Sequence, residues 1–145
     1  MKKICTDLEQ SKKLLELGID VYTADMFWKN GVSDKYIQCF TPFVSCGTNI
    51  DYDYDVPAWS LETLMKFLPS EFTEVGKYST TTYKIDIRKY KFTDDVDLYQ
   101  IAYGSIKFDV DGQYSFKYMI NTGEKENLID AAFQMVCWLK ENGKI

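Results

Sequence analysis

The sequence contains no histidine, and this absence excludes several kinds of chemistry. Without imidazole there is no Ser-His-Asp or Cys-His nucleophile, no histidine-ligated metal and no imidazole general base. No catalytic motif built from other residue types is present. The sequence therefore favours a non-enzymatic protein with no catalytic residue and no cofactor. A catalytic pair of carboxylates is the alternative that stays open, because such pairs have no characteristic spacing in a sequence.

Closely spaced cysteines are also missing. None of the four cysteines forms the C-x-x-C pair in which structural zinc ligands usually occur, so they are interpreted as small buried hydrophobic residues. Their positions are Cys5, Cys39, Cys46 and Cys137. In a reducing compartment these thiols would stay unpaired, and no metal site is assigned to them.

Positive charge and long apolar runs are both scarce. The 17 lysines and arginines are outnumbered by 22 aspartates and glutamates, which gives a formal net charge of -5. This balance disfavours binding to nucleic acid, because phosphate neutralisation requires clustered cations. The sequence has no run of about 18 apolar residues, which is the length that a membrane-spanning helix requires. The N-terminus starts like a signal peptide, but Thr6 to Glu9 stand in place of its apolar region. We expect a cytoplasmic protein with no membrane partner.

Three helices are predicted from apolar periodicity and capping residues. The first covers residues 6–17, with Thr6 and Glu9 forming a capping box. A second helix begins after Ser60 as its N-cap. The third follows Asn127 as its N-cap and is apolar on nearly all sides, which is typical of a central, mostly buried helix. The residues predicted to end the three helices are, in chain order, Gly18, Pro69 and Gly143.

Strands are predicted where the apolar period changes to two. Residues 78–90 place Tyr83, Ile85 and Ile87 on one face. Residues 98–103 form the next strand, which should pair antiparallel to it.

A further hairpin is predicted around Asp111 and Gly112. A two-residue turn would place large apolar side chains opposite polar ones. A three-residue loop, 111–113, instead pairs Phe108 with Phe116 and keeps the apolar residues together. We therefore expect an odd-numbered loop.

Two earlier segments are less regular: a short strand within residues 19–28, and an edge strand within 35–44 that ends at Pro42. The order of all these elements predicts an α+β fold, with an antiparallel sheet of about four to five strands and three helices packed mainly on one face. The length of 145 residues is typical of one globular domain, spanning 1–145.

An acidic and aromatic stretch is the candidate partner-binding surface. It consists of Asp51, Tyr52, Asp53, Tyr54 and Asp55. Tyrosine brings contact area and a polar tip at low entropy cost. The aspartates also match the start of a calcium loop that would end at Glu62, but Val56 stands where such a loop needs glycine. A solvated acidic loop is the alternative interpretation, and no metal is assigned.

Arg88 is the only arginine and the candidate anion-binding residue. Its guanidinium could hold a carboxylate or phosphate with two parallel hydrogen bonds. The alternative is a solvated sheet face, on which Asp86 is its neighbour. Core packing, rather than a ligand-binding box, is the interpretation for the tryptophans, Trp28, Trp59 and Trp138.

Four stretches resemble a group of small uncharacterised proteins encoded by phages, prophages and other mobile elements of gut Bacteroidetes. They are LEQSKKLLELG (8–18), TADM (23–26), PAWSL (57–61) and DAAFQM (130–135). The similarity covers most of the chain, with the hairpin at 104–120 as an addition. It implies a bacterial, cytoplasmic setting and carries no known activity or catalytic residue.

Two classes of function follow. The leading hypothesis is a non-enzymatic accessory protein of a phage or mobile element that binds an unidentified protein partner, because acidic faces can occupy the basic surfaces of a partner. The alternative is a protein that binds or sequesters a small anionic ligand through Arg88. Tyrosines on both faces of the sheet would leave one face adhesive, which favours self-association into a homodimer.

Overall fold

The computed structural model describes residues 3–28, 36–38, 55–108 and 111–145, and only the backbone of 36–38, 107–108 and 114–119. The described residues form the predicted α+β fold, with three helices and two antiparallel sheets. In chain order, the elements are α1 (Leu8–Glu16), a 3₁₀ turn (Val21–Thr23), β1 (Met26–Trp28), β2 (Tyr36–Gln38), β3 (Val56–Ala58), α2 (Leu61–Lys66), β4 (Glu71–Val75), β5 (Thr80–Lys91), β6 (Asp97–Phe108), β7 (Tyr114–Asn121) and α3 (Leu128–Glu141).

The larger sheet has the strand order β4-β5-β6-β7, and every neighbouring pair is antiparallel. The predicted pairing of β5 with β6 is confirmed, with Ile87 opposite Ile101. The smaller sheet has the order β2-β1-β3. Its strands are only three residues long, and β2 lies at an edge, as predicted for that part of the chain. The end of that strand at Pro42 lies outside the described residues.

The β6–β7 hairpin differs from the prediction in its register. Phe108 pairs with Tyr114 rather than with Phe116, a displacement of two residues along β7. The predicted odd number of loop residues depends on residues 109 and 110, which lie outside the described residues, and stays a prediction. A β-bulge farther along the same ladder changes the register again.

Helix α1 begins one residue later than predicted. Asp7 is the N-cap: its side chain accepts from the Gln10 N–H, and the Gln10 side chain accepts from the Asp7 N–H. The predicted cap, Thr6, is fully buried. Its hydroxyl lies 2.8 Å from Ser11 Oγ and accepts from the Trp59 N–H at 3.1 Å. These tertiary hydrogen bonds use the Thr6 side chain, so the next residue caps the helix.

Helix α3 lies in the main hydrophobic core, as predicted. Its buried residues are Ile129, Ala131, Ala132, Met135, Val136 and Leu139. The core also contains Trp59 and Leu64, which are completely buried at the start of α2. Trp28 is buried in a second, smaller cluster, and Trp138 is partly buried against the main core. The tryptophans are therefore packing residues.

Only part of the predicted inward face of β5 is covered. Tyr83 and Ile85 pack against the main core, whereas Ile87 is 43% exposed. Across the ranges that the structure describes, no helix combines the length and the apolar composition needed to cross a membrane.

Candidate functional site

Arg88, the candidate anion-binding residue, lies on β5 and is partly exposed. Its Nε donates to Asp86 Oδ2 at 2.7 Å, so the neighbour expected from the sequence is in contact. Arg88 lines neither of the two cavities described below. Its proposed role as an anion-binding residue stays a prediction.

The acidic and aromatic stretch is described only at its last residue. Asp55 comes just before β3 and is 5% exposed, so it offers little contact area to a partner. Residues 51–54 lie outside the described residues, and the predicted partner-binding surface there stays a prediction.

The structure instead places a cleft of about 530 Å³ where the N-terminal ends of α2 and α3 meet the N-terminal segment and β6. We call it the cap cleft, because the N-cap residues of both helices line it. Its apolar lining consists of Ile4, Leu61, Tyr99, Leu128 and Ile129. Its polar lining consists of Lys3, Asp25, Ser60, Glu62, Glu126 and Asn127. A cavity of this size lies within the usual range of ligand sites, roughly 300–1,000 Å³.

The α2 side of the cap cleft is held by Asp25. Its Oδ1 accepts from the Ser60 N–H at 2.8 Å, and its Oδ2 accepts from the Ser60 hydroxyl. Ser60 in turn caps the helix by accepting from the Thr63 N–H at 3.3 Å. The carboxylate also lies at the positive end of the helix dipole, where a negative charge is stabilising. Asp25 therefore fixes the start of α2 from a distant part of the chain.

The α3 side is held by a network around Lys3. The Lys3 ammonium donates to Asp130 Oδ1 at 2.6 Å, to Gln10 Oε1 at 2.7 Å and to Asp7 Oδ2 at 3.1 Å. Gln10 Nε2 also donates to Asp130 Oδ1, at 2.8 Å. Burial alone would raise the pKa of Asp130, but these hydrogen bonds and the charges of Lys3 and Lys125 outweigh it and hold the pKa below its ordinary value. The network ties α1, the N-terminal segment and α3 together.

The charge of the cap cleft is negative. Among its described lining residues, Asp25, Glu62 and Glu126 are acidic and Lys3 is the single cation. Lys3 already contacts three acceptors. Glu62 lies 3.5 Å from Lys66, but both side chains are largely exposed, and such surface pairs contribute little. The cleft therefore presents carboxylates beside apolar surface.

The described thiols and one buried phenol are poor nucleophiles. Burial, reinforced by the charge of Asp25, raises the pKa of Cys5 to about 11. Burial and the charge of Glu141 raise the pKa of Cys137, which lines a smaller cavity of about 190 Å³, to about 11 as well. Burial raises the pKa of Tyr103 to about 12. All three groups are protonated at neutral pH, and thiols react as thiolates.

The calcium-loop pattern can be followed from its third aspartate onward: Asp55 is buried, and Val56, at the position that needs glycine, begins β3. Glu62 lies in the first turn of α2, and the aspartates at 51 and 53 lie outside the described residues. Within the described ranges, no group of three or more acidic, cysteine or histidine side chains is arranged to hold a metal ion.

The sequence predicted the two N-caps of the cap cleft but not the cleft itself. Ser60 and Asn127 were recognisable from local spacing. Asp25 and Lys3 were not, because their partners lie 35 and 127 positions away. The four stretches of the resemblance are joined here in two pairs: Trp59 Nε1 donates to Thr23 Oγ1 and Ser60 donates to Asp25, whereas Gln10 donates to Asp130. Lys3 lies outside all four stretches.

Comparison of the chain with protein-family models, with curated proteins and with solved structures finds no match. The resemblance to proteins of Bacteroidetes mobile elements thus stays a prediction.

Proposed function

We propose that this protein is a non-enzymatic accessory protein of a phage or mobile element, and that it acts by binding a protein partner in the cap cleft. The observation that carries the proposal is the combination of apolar surface and carboxylates at the ends of two fixed helices. Binding sites commonly pair apolar area with a few placed polar groups. The phage or mobile-element setting rests on the sequence resemblance alone.

The frame of the cleft favours binding without rearrangement. Asp25 holds the start of α2, and Asn127 Oδ1 accepts from the Ile129 N–H at 2.8 Å at the start of α3. A preorganised site loses less conformational entropy when a partner docks. This supports recognition of an exposed segment of a partner by a rigid surface.

The small anionic ligand is the weaker proposal. Its candidate residue, Arg88, is engaged by Asp86, and the cleft carries more carboxylates than cations. A partner with positive charge agrees better with the formal net charge of -5.

Site-specific photo-crosslinking tests this proposal. A benzoylphenylalanine at Leu61, inside the cleft, is compared with one at Tyr78, which is 89% exposed between β4 and β5, in an extract of Bacteroidetes cells. We expect a crosslinked protein from position 61 alone, and we expect unlabelled protein to compete it away. The absence of a saturable crosslink at position 61, or an equal one at position 78, would contradict the proposal.

A further inference from the structure

We infer that the cap cleft recognises a partner segment in which an arginine or lysine side chain lies between apolar residues. The inference rests on the proposed function, since it names the chemistry of the segment that docks there. It follows from three observations: the alternation of charged and apolar residues around the cleft, the acidic residues already present at the N-termini of α2 and α3, and the aromatic side chain of Tyr99.

Apolar and acidic residues are neighbours along both helix starts. In α2, Leu61 is followed by Glu62, and before α3, Glu126 precedes Leu128 by two positions. Both leucines are half-buried, whereas Glu126 is exposed and the side chain of Glu62 is 84% exposed. A ligand that covers the leucines therefore brings its own side chains within reach of both glutamates.

The cation that a partner would bring has no strong competitor within the described lining. Lys3 donates to Asp7, Gln10 and Asp130, none of which lines the cleft, so its ammonium is already engaged by other acceptors. The ion pairs among the described residues do not include Glu126. An incoming guanidinium could donate two parallel hydrogen bonds to one of these rim carboxylates.

The N-termini of α2 and α3 do not make the cleft a binding site for anions. Free helix starts attract anions, with a contribution of about 0.3–1 kcal/mol at the surface. Here Asp25 and Asn127 already satisfy N–H groups at the two starts, and the first turns already carry Glu62 and Asp130. The dipoles are therefore complemented by the chain's own acids, and the remaining charge of the lining is negative.

Tyr99 gives an arginine a further contact. Tyr99 is a lining residue of the cleft, and Lys89 Nζ lies 5.8 Å from the centroid of its ring. The face of an aromatic ring attracts cations, and a planar guanidinium stacks on it better than an ammonium. Arginine is thus the preferred central residue.

A pair of peptides that differ only in charge tests the inference. Fluorescein-labelled Gly-Leu-Arg-Leu-Arg-Leu amide is compared with the same peptide carrying citrulline, an uncharged isostere, in place of each arginine. Fluorescence anisotropy is measured with the full chain at low and at high salt. We expect the arginine peptide to bind at least about tenfold more tightly, and we expect salt to reduce that advantage because the rim glutamates are exposed.

Charge-matched variants locate the binding. Glu62→Gln with Glu126→Gln removes the two rim carboxylates, whereas Glu16→Gln with Glu71→Gln removes two exposed carboxylates from α1 and β4. Both variants change the net charge equally. We expect the first to lose about tenfold in affinity for the arginine peptide and the second to stay within about twofold of the natural sequence. Circular dichroism verifies that both remain folded.

The outcomes separate the inference from the proposed function. Equal binding of the two peptides, no binding of either, or equal losses in the two variants would overturn the inference. If the crosslink from Leu61 persists in that case, the cleft binds a partner of different chemistry and the proposed function stands. If the crosslink is absent as well, both fail.

Discussion

At the residue scale, Asp25 is the side chain on which the α2 side of the cap cleft depends. Asp25→Ala would leave the Ser60 N–H and hydroxyl without their acceptor, and we expect a loss of about 1–3 kcal/mol in the free energy of unfolding. Urea denaturation followed by circular dichroism measures it. As a control, Asp20→Ala removes an exposed cap of the 3₁₀ turn and should cost less than about 1 kcal/mol. Equal losses would contradict the role of Asp25.

Two buried serines give opposite predictions. Ser105 Oγ on β6 has no hydrogen-bond partner among the described residues, so Ser105→Ala should stabilise the protein by about 1 kcal/mol. Ser11 Oγ lies 2.8 Å from Thr6 Oγ1 in a fully buried pair, and Ser11→Ala should destabilise the protein by about 1–2 kcal/mol. Urea midpoints measure both changes. A destabilising Ser105→Ala would show that its hydroxyl is satisfied.

The lowered pKa of Asp130 predicts how the stability of the protein depends on pH. Its pKa is lowered in the folded state, chiefly through hydrogen bonds from Lys3 and Gln10 that overcome the effect of burial. The stabilisation is therefore fully present above the ordinary pKa of an aspartate and is lost as the pH falls through the lower, folded pKa. Asp130→Asn should lower stability at pH 7 and flatten its decrease in acid. Urea denaturation from pH 2 to 7 measures this, and an unchanged acid slope would contradict it.

At the element scale, the end of α1 is a Schellman motif formed around Gly18. The Gly18 N–H donates to the Leu15 carbonyl, the Ile19 N–H donates to the Leu14 carbonyl, and Gly18 has a φ of 83°. A Cβ there would meet only Lys140 Cε, at 4.0 Å, so the cost of a side chain comes from the backbone conformation. We expect Gly18→Ala to cost about 1 kcal/mol and Gly18→Asn to cost less, because asparagine tolerates a positive φ. Thermal denaturation compares them, and equal costs would contradict this explanation.

The helix caps and the smaller sheet show which features can be predicted from residues that are close together in the sequence. Ser60 and Asn127 were recognisable as caps because each satisfies N–H groups within its own first turn. At α1, both Thr6 and Asp7 have a suitable residue three positions later, and only the contacts of Thr6 with Ser11 and Trp59 decide between them. In the smaller sheet, β1 and β2 lie in segments where short strands were predicted, whereas β3 and its pairing with β1 were not predicted, because β3 is only three residues long and distant from β1 in the sequence. Long-range pairing of this kind leaves no periodic pattern.

At the scale of the whole molecule, the cap cleft is the product of segments that no local pattern connects. The N-terminal segment, the residue before β1, the starts of α2 and α3, and β6 each supply part of its lining. The sequence therefore predicted the fold class and the N-caps of α2 and α3, whereas the cleft required the tertiary hydrogen bonds of Asp25 and Lys3.

One measurement tests most directly whether the cleft is the binding surface: a two-dimensional ¹H–¹⁵N spectrum of the labelled protein during titration with the arginine peptide. We expect the amide shifts to change at residues 60–62, at residues 126–129 and at Tyr99, and we expect the same changes in the Glu62→Gln, Glu126→Gln variant to require about tenfold more peptide. Changes concentrated around Arg88, or spread evenly over the acidic surface, would contradict the cap cleft as the binding site.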